Sequence, residues 1–214
     1  MKRLWGQALK TVFRLLYHEA AFSYDAVANL VSLGTWWAWG RVSLDFLPPP
    51  SAGPILELAH GTGHLQTALV MGGWQAFGLD FSPTMGRIAT QRLGRHGLAG
   101  RLVRARAQAL PFPTGHFSGL VATFPTAYIL DPVTLREVAR VLRPAGRLVV
   151  VPSASLTGGG LYQRAVAAAY RATGQTGAWG DLKTRFGEAG LTWQMESVSL
   201  AQSVVAVWVA HKHS

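Results

Sequence analysis

The segment ILELAHGTGHL at residues 55–65, followed by Gly78-Leu79-Asp80, restricts the possible folds of this chain more than any other feature. It reads as an apolar strand, a glycine turn, a helix and a second strand closed by a carboxylate, the unit from which a Rossmann-like parallel sheet builds a nucleoside site. Gly61 and Gly63 carry no Cβ, so the backbone can turn sharply into the helix and approach a ligand closely. Asp80, at the tip of the second strand, can accept hydrogen bonds from both hydroxyls of a ribose. In a chain with 24 glycines a Gly-x-Gly run alone has little weight, so the surrounding pattern must carry the reading.

That pattern alternates strand and helix. Strand-like runs at 54–58, 75–79, 101–106, 119–124 and 147–152 are separated by helical spacing at 63–71, 83–93 and 132–142. The alternation predicts an α/β fold, a mostly parallel sheet with helices on both faces. A glycine-rich turn at 158–160 leads into an alanine-rich helix at 162–171, and a short helix is expected over 182–189. The chain closes differently, with strands at 192–200 and 203–210 only two residues apart, which predicts an antiparallel hairpin. Before the sheet, apolar residues recur at helical spacing from 6 to 33, read as two helices, and Trp36, Trp37 and Trp39 follow. Pro48-Pro49-Pro50 forms a stiff boundary, so the expected organisation is a helical extension or lid at 1–50 and a ligand-binding domain at 51–214.

Composition narrows the function classes. The 214 residues suit one α/β domain, and the absence of cysteine removes disulfides, thiolate metal sites and thiol nucleophiles together; no metal site is expected. The net charge of +10 would suit nucleic acid, yet Arg87, Arg92, Arg95, Arg101, Arg104 and Arg106 are dispersed rather than clustered, so nucleic acid is disfavoured. Eight tryptophans point instead to an apolar pocket or a membrane-proximal surface. The apolar run from 12 to 33 is interrupted by Arg14, His18, Glu19 and Asp25, which argues for a cytoplasmic protein. The helix at 6–16, with Lys2, Arg3, Lys10 and Arg14 among apolar residues, also fits peripheral contact with anionic lipid. Glu57 sits in an otherwise apolar strand, where an unpaired charge is costly, so it is expected to face a ligand.

Five segments in order resemble the class I S-adenosylmethionine-dependent methyltransferases: ILELAHGTGHL, GLDFSPTMGRIA, ALPFPTGHFSGLVATFP, LREVARVLRPAGRLVVV, and FGEAGLTWQMESV with VVAVWVAHK. The resemblance covers 54–212 and lies nearest the small-molecule and quinone methyltransferases. It implies a seven-stranded sheet with a reversed final strand, and S-adenosylmethionine as cofactor. It further implies that Glu57, Ala59, His60, Gly61 and Gly63 border the methionine part and that Asp80 takes the ribose diol. Phe81 and Met85 would flank the adenine, Ala107 and Gln108 would meet its edge, and Thr123 would lie near the methionine end. Four positions depart from the family pattern. Ala59 replaces the first glycine of the loop, tolerable if its φ is negative, and His60 fills a position often held by a small residue. Arg106 stands where an acid usually contacts the adenine amino group, and Arg cannot accept a hydrogen bond. Ser118 stands where an aspartate is usual.

The implied reaction is transfer of the sulfonium methyl to a small apolar or aromatic acceptor, including a quinone. Alignment and water exclusion dominate such a reaction, and no obligatory base can be read from the residues. His18, Tyr24, His64 and Tyr128 are the candidates for contact with the acceptor. Arg106 and Ala59 keep a second reading open, a cofactor-binding protein without catalysis, and RNA methylation is a weaker third.

Overall fold

Burial of alternate residues on two faces organises the sheet. The computed structural model describes residues 34–157 and 181–213. Its strands are β1 (Ile55–Leu58), β2 (Ala76–Asp80), β3 (Arg101–Arg104), β4 (Phe117–Thr123), β5 (Leu142–Leu156), β6 (Leu191–Leu200) and β7 (Ser203–Lys212). They lie in the order β3-β2-β1-β4-β5-β7-β6. Pairing is parallel from β3 through β5, and β7 runs antiparallel to both β5 and β6. The fold is therefore the expected seven-stranded, mostly parallel sheet closed by an antiparallel hairpin.

The helices are α1 (Trp36–Arg41), α2 (His64–Met71), α3 (Pro83–Arg95), α4 (Pro132–Val141) and α5 (Leu182–Glu188). Because side chains alternate along a strand, Leu56, Leu58, Leu120, Leu148, Val150 and Trp208 face one core with Leu135 and Val138 of α4 and Phe186 of α5. Ile55, Val121, Val149, Val151, Val207 and Val209 face the other, with Trp39 of α1 and Leu65 and Leu69 of α2. Glu57, two residues from Ile55, projects to this second face. Local chemistry sets the helix starts. Ser82 accepts from Met85 N at 3.3 Å and Asp131 from Val133 N at 3.0 Å, each followed by a proline in the first turn.

The structure departs from the sequence expectation at two strands. The third strand ends at Arg104, not 106, because Ala105 and Arg106 leave the ladder to line a cavity. The fifth continues to Leu156 past Pro152, because a register shift between Val150 and Ser153 accommodates the missing N–H and the ladder with β7 resumes. Residues 36–47, ahead of the proline run, pack into the sheet. Trp39 is buried and its indole Nε1 donates to Ser203 Oγ at 2.8 Å, while Trp74 Nε1 donates to Pro48 O at 2.8 Å. Ser118 is also structural, donating through N and Oγ to Pro54 O at 2.9 and 3.1 Å. The helices expected at 6–33 and 162–171 lie outside the described residues.

Gly63 shows how closely the elements approach. At φ +83°, a Cβ there would lie 2.7 Å from Ala89 Cβ and 2.9 Å from Ala89 Cα of α3. Gly63→Ala is therefore expected to destabilise the protein by about 2 kcal/mol through strain and overpacking. Gly86→Ala, with nothing within 4 Å of the new Cβ, is expected to stabilise it by about 0.5–1 kcal/mol. Urea titrations of the two variants check both signs.

Candidate functional site

A cavity of about 870 Å³ opens at the carboxyl ends of β1, β2 and β4, where parallel strands diverge and loops replace the sheet. Glu57 reaches it from β1, Ala59, His60 and Gly61 from the β1–α2 loop, and Asp80 and Phe81 from the end of β2. Met85 of α3, Ala107 and Gln108 after β3, Thr123 at the end of β4, His64 of α2 and Tyr128 complete the sequence-derived set. Gly63 is not in the wall; it turns the chain into α2 at φ +83° and packs against Ala89 of α3. His18 and Tyr24 lie outside the described residues.

The Asp80 carboxylate fastens two turns together. Oδ2 accepts Gly61 N at 2.9 Å and Oδ1 accepts Ser82 N at 2.8 Å, so the glycine loop and the β2–α3 turn share one anchor. Each carboxylate oxygen has a second lone pair, so the anchor retains capacity for ligand hydroxyls. His60 N donates to Leu79 O at 3.1 Å, and His60 Nδ1 lies 2.9 Å from Gly61 O, to which it donates. Burial lowers the His60 pKa, opposed by the charge of Asp80, so the ring is neutral. These contacts fix the loop, and they force Ala59 to φ +55°. The sequence reading allowed Ala59 on the condition of a negative φ; that condition fails, at a strain of roughly 1–2 kcal/mol for a residue with a Cβ.

Glu57 is 2% exposed, and burial is the main cause raising its pKa from 4.5 to about 8. A hydrogen bond from Gln66 opposes the rise and the nearby Asp80 charge adds to it. Gln66, fully buried behind the cavity wall, is a neighbour of Glu57 that the sequence reading missed. The available signal was a long amide next to Leu65 on a helix face that had to pack on β1 and β2.

At the other end of the cavity, Phe81 is 49% exposed, with the Arg106 guanidinium carbon 4.5 Å and that of Arg104 5.5 Å from its ring centroid. Arg106 thus lies over an aromatic face, an attractive arrangement for a cation. Gln108 Nε2 donates to Asp131 Oδ2 at 2.9 Å, which points its amide by a fixed partner.

Aromatic rings form the remaining wall. Trp36 stacks on Phe124 at 4.0 Å and Trp37 on His64 at 3.3 Å between centroids. Arg92 Nε donates to Thr62 O at 2.8 Å and its Nη1 lies 2.9 Å from His64 Nδ1. Arg has donors only, so Nδ1 accepts and the neutral ring carries its proton on Nε2. Such a tautomer has no lone pair at Nε2 for use as a base. Tyr128 OH donates to Leu58 O at 3.4 Å, a packing contact beside the site. Among the described residues, no group of three or more His, Asp or Glu is placed to hold a metal ion.

Residues 55–146 match the family model described as "Methyltransferase domain". The chain is similar to the demethylmenaquinone methyltransferase of Thermus thermophilus, 37% identical over 139 residues, covering 64% of this chain and 63% of that protein. It is also similar to the ubiquinone/menaquinone biosynthesis C-methyltransferase UbiE of Proteus mirabilis, 30% identical over 148 residues, covering 66% and 59% of the two chains. The chain thus spans less than two thirds of the length of these relatives. Among solved structures, a possible histamine N-methyltransferase of Thermotoga maritima superposes with a TM-score of 0.62 at 17% identity, covering 90% of this chain and 96% of its own. The YcgJ protein of Bacillus subtilis gives a TM-score of 0.63 at 15% identity, covering 83% and 99%. At these identities the structural likeness establishes the fold.

Since both Asp80 oxygens hold backbone N–H groups, Asp80→Asn leaves an amide NH₂ facing one of them. The variant is expected to lose about 1–3 kcal/mol, the cost of a buried unsatisfied donor. A lower melting temperature in the unliganded protein checks this independently of any ligand.

Proposed function

We propose that the chain is a class I S-adenosylmethionine-dependent methyltransferase, as its likeness to a methyltransferase domain and to quinone methyltransferases supports, and that it methylates a small lipophilic acceptor of the quinol type. The observation that carries this reading is one cavity with two unlike halves. The half around Glu57, Gly61 and Asp80 is polar, and the half around Trp36, Trp37 and Phe124 is aromatic.

The residues of the polar half suit the cofactor. Glu57 Oε2 is buried and lacks a hydrogen-bond donor among the described residues, so it suits an ammonium group. Gly61, at φ +54° with nothing within 4 Å of a built Cβ, leaves room for close approach. Asp80, held rigidly by two backbone donors, suits a ribose diol. Phe81 offers an exposed face to a base, its other neighbours being the guanidinium groups of Arg104 and Arg106. Bound S-adenosylmethionine would supply an activated methyl group on a sulfonium that leaves as a neutral thioether.

The chain's own contribution is placement. Trp36 and Trp37, each stacked on a partner ring, present flat apolar faces that suit a planar acceptor and keep water away from it. The similarity to proteins named as quinone methyltransferases supports the same acceptor class. Nucleic acid is a poorer acceptor because many cations are occupied inside the fold. Arg92, Arg140, Arg147, Arg185 and Lys212 donate to backbone carbonyls instead of forming a basic stripe. Among the described residues no helix is long and apolar enough to cross a membrane. Peripheral contact through the segment at 6–16 is part of the proposal and concerns residues outside those described.

The second reading, cofactor binding without catalysis, draws on the strained Ala59 and on Arg106 at the adenine side. Calorimetry with S-adenosylhomocysteine and turnover with labelled S-adenosylmethionine and a demethylated naphthohydroquinone separate the two. Binding with product supports the enzyme, binding without product on a panel of acceptors supports the second reading, and no binding at millimolar ligand overturns both.

Trp37→Ala is expected to raise KM for an aromatic acceptor about tenfold, the loss of one stacking face. The Kd for S-adenosylhomocysteine should stay within about twofold, because additive behaviour is expected of distant groups. Equal losses in both constants would show that the aromatic half does not serve the acceptor.

A further inference from the structure

Glu57 and Gln66 combine burial with unmet hydrogen-bonding capacity. Glu57 on β1 is 2% exposed and Gln66 on α2 is 0% exposed, and they are neighbours, because the Gln66 amide lies over Gly78, the residue paired with Glu57 across β1 and β2. Gln66 Nε2 also donates to Phe77 O at 3.0 Å, which fixes the amide over β2. Gly78 makes room for it, since a Cβ there would lie 3.0 Å from Gln66 Cδ. Two atoms of this pair lack donors among the described residues, Glu57 Oε2 and Gln66 Oε1.

Two orphaned acceptors on paired, buried side chains are an unfavourable arrangement if Glu57 is ionised. A carboxylate and an amide carbonyl, acceptors only, would then share one buried site with no donor for either oxygen among the described residues. One proton resolves the conflict. A neutral carboxyl donates its O–H to the amide oxygen while accepting N–H from the amide nitrogen, and both orphans are satisfied.

We infer that Glu57 and Gln66 hold one proton between them as a neutral acid–amide pair in the cofactor-free protein, and that the ammonium group of the incoming cofactor displaces this proton. The identity of the displacing cation rests on the methyltransferase reading; the acid–amide pair does not. Gln66 is in this account a positioning residue, acting through Glu57. The O–H bond of Glu57 breaks, the proton leaves to solvent, and the carboxylate becomes the partner of a cation that brings its own N–H donors.

Burial favours the same state, since desolvation is the largest influence on Glu57 and carries its pKa from 4.5 to about 8. The Gln66 N–H by itself favours the anion, and Asp80 favours the acid. The other charged or imidazole groups lining the cavity are His60 of the β1–α2 loop, His64 of α2, Arg41 of α1, Arg92 of α3 with His96 just after it, and Arg106 after β3. His60 is neutral where Glu57 titrates, because burial lowers its pKa from 6.5. Since the folded-state value for Glu57 is above the unfolded one, the protonated pair contributes stability that is fully present below pH 4.5 and is lost as pH rises through about 8. The ammonium site gains strength over that same rise.

S-adenosylhomocysteine is the probe. At pH 7, calorimetry in buffers of different ionisation enthalpy is expected to show close to one proton released on binding. The Kd should weaken by up to about tenfold for each pH unit below 8, the limit for binding linked to one proton. Glu57→Gln, nearly isosteric, should abolish both the release and the pH dependence. Infrared difference spectra between wild type and Glu57→Gln, recorded without ligand, should show a protonated carboxyl at pH 7. In Gln66→Met that band should move toward the frequency of an acid without an amide partner. A carboxylate band for Glu57 at pH 7, or ligand binding without proton release, would overturn the inference. Failure of wild type to bind the probe would overturn the cofactor reading instead, while the ligand-free spectra would still decide whether the acid–amide pair exists.

Discussion

The Asp80 carboxylate is the contact on which the site depends. Its two oxygens hold Gly61 N and Ser82 N, and so tie the turn after β1 to the turn after β2. Parallel strands leave adjacent loops at one edge of a sheet without backbone pairing, and a buried carboxylate supplies the missing acceptors. Because this anchor is rigid, the loop beyond it follows a defined path, including the left-handed conformation of Ala59. The strain there is the consequence of satisfying more costly polar groups nearby. The same anchor brings a negative charge close to Glu57, which has no comparable set of donors and is pushed toward its neutral form. Two carboxyl groups on neighbouring strands thus meet different surroundings, one held by two backbone donors and the other buried with an oxygen that has no donor among the described residues.

Part of the excess of cations serves architecture. Arginines at the ends of elements donate to carbonyls that the regular structure leaves open, as Arg140 does to Phe112 O and Leu110 O and Arg185 does to Leu130 O. Arg140 also pairs with Glu137 at 2.7 Å, which holds the Glu137 carboxyl below its usual range, and Glu137 in turn accepts Leu110 N. A composition that suggests nucleic-acid binding is here used to close loops over the sheet. Arg92 connects this habit to the site, since one guanidinium holds both Thr62 O and His64 Nδ1. His64, a natural candidate for a base from its place at the start of α2, is instead fixed in one tautomer under Trp37.

Legibility in the sequence followed the range of the interaction. Ser82-Pro83 and Asp131-Pro132 announce α3 and α4 because a helix start is decided within a few residues. The alternation of Leu and Val in β4 and β5 announces strands buried on both faces. The course of β5 beyond Pro152 was not legible, since only its pairing with β7 makes the bulge favourable. Gly63 was legible as the glycine that turns the chain into α2, which it does at φ +83°, whereas its close packing was not. It serves contact with Ala89, a residue 26 positions away. Gln66 gave almost no signal, because its role depends on the carboxyl of a different element.

The order of elements, the reversed final strand, and the cavity-lining positions that belong to recognisable local motifs, among them Gly61 and Asp80, are written in the chain. These follow from periodicity and turn chemistry, which act over neighbouring residues. The conformation of Ala59, the stacking of Arg106 on Phe81, the tautomer of His64 and the placing of Gln66 beside Glu57 arise on folding. Each of these is set by groups far apart in the chain meeting where water is scarce, and there the donors, acceptors and charges that happen to be present fix the state of every side chain.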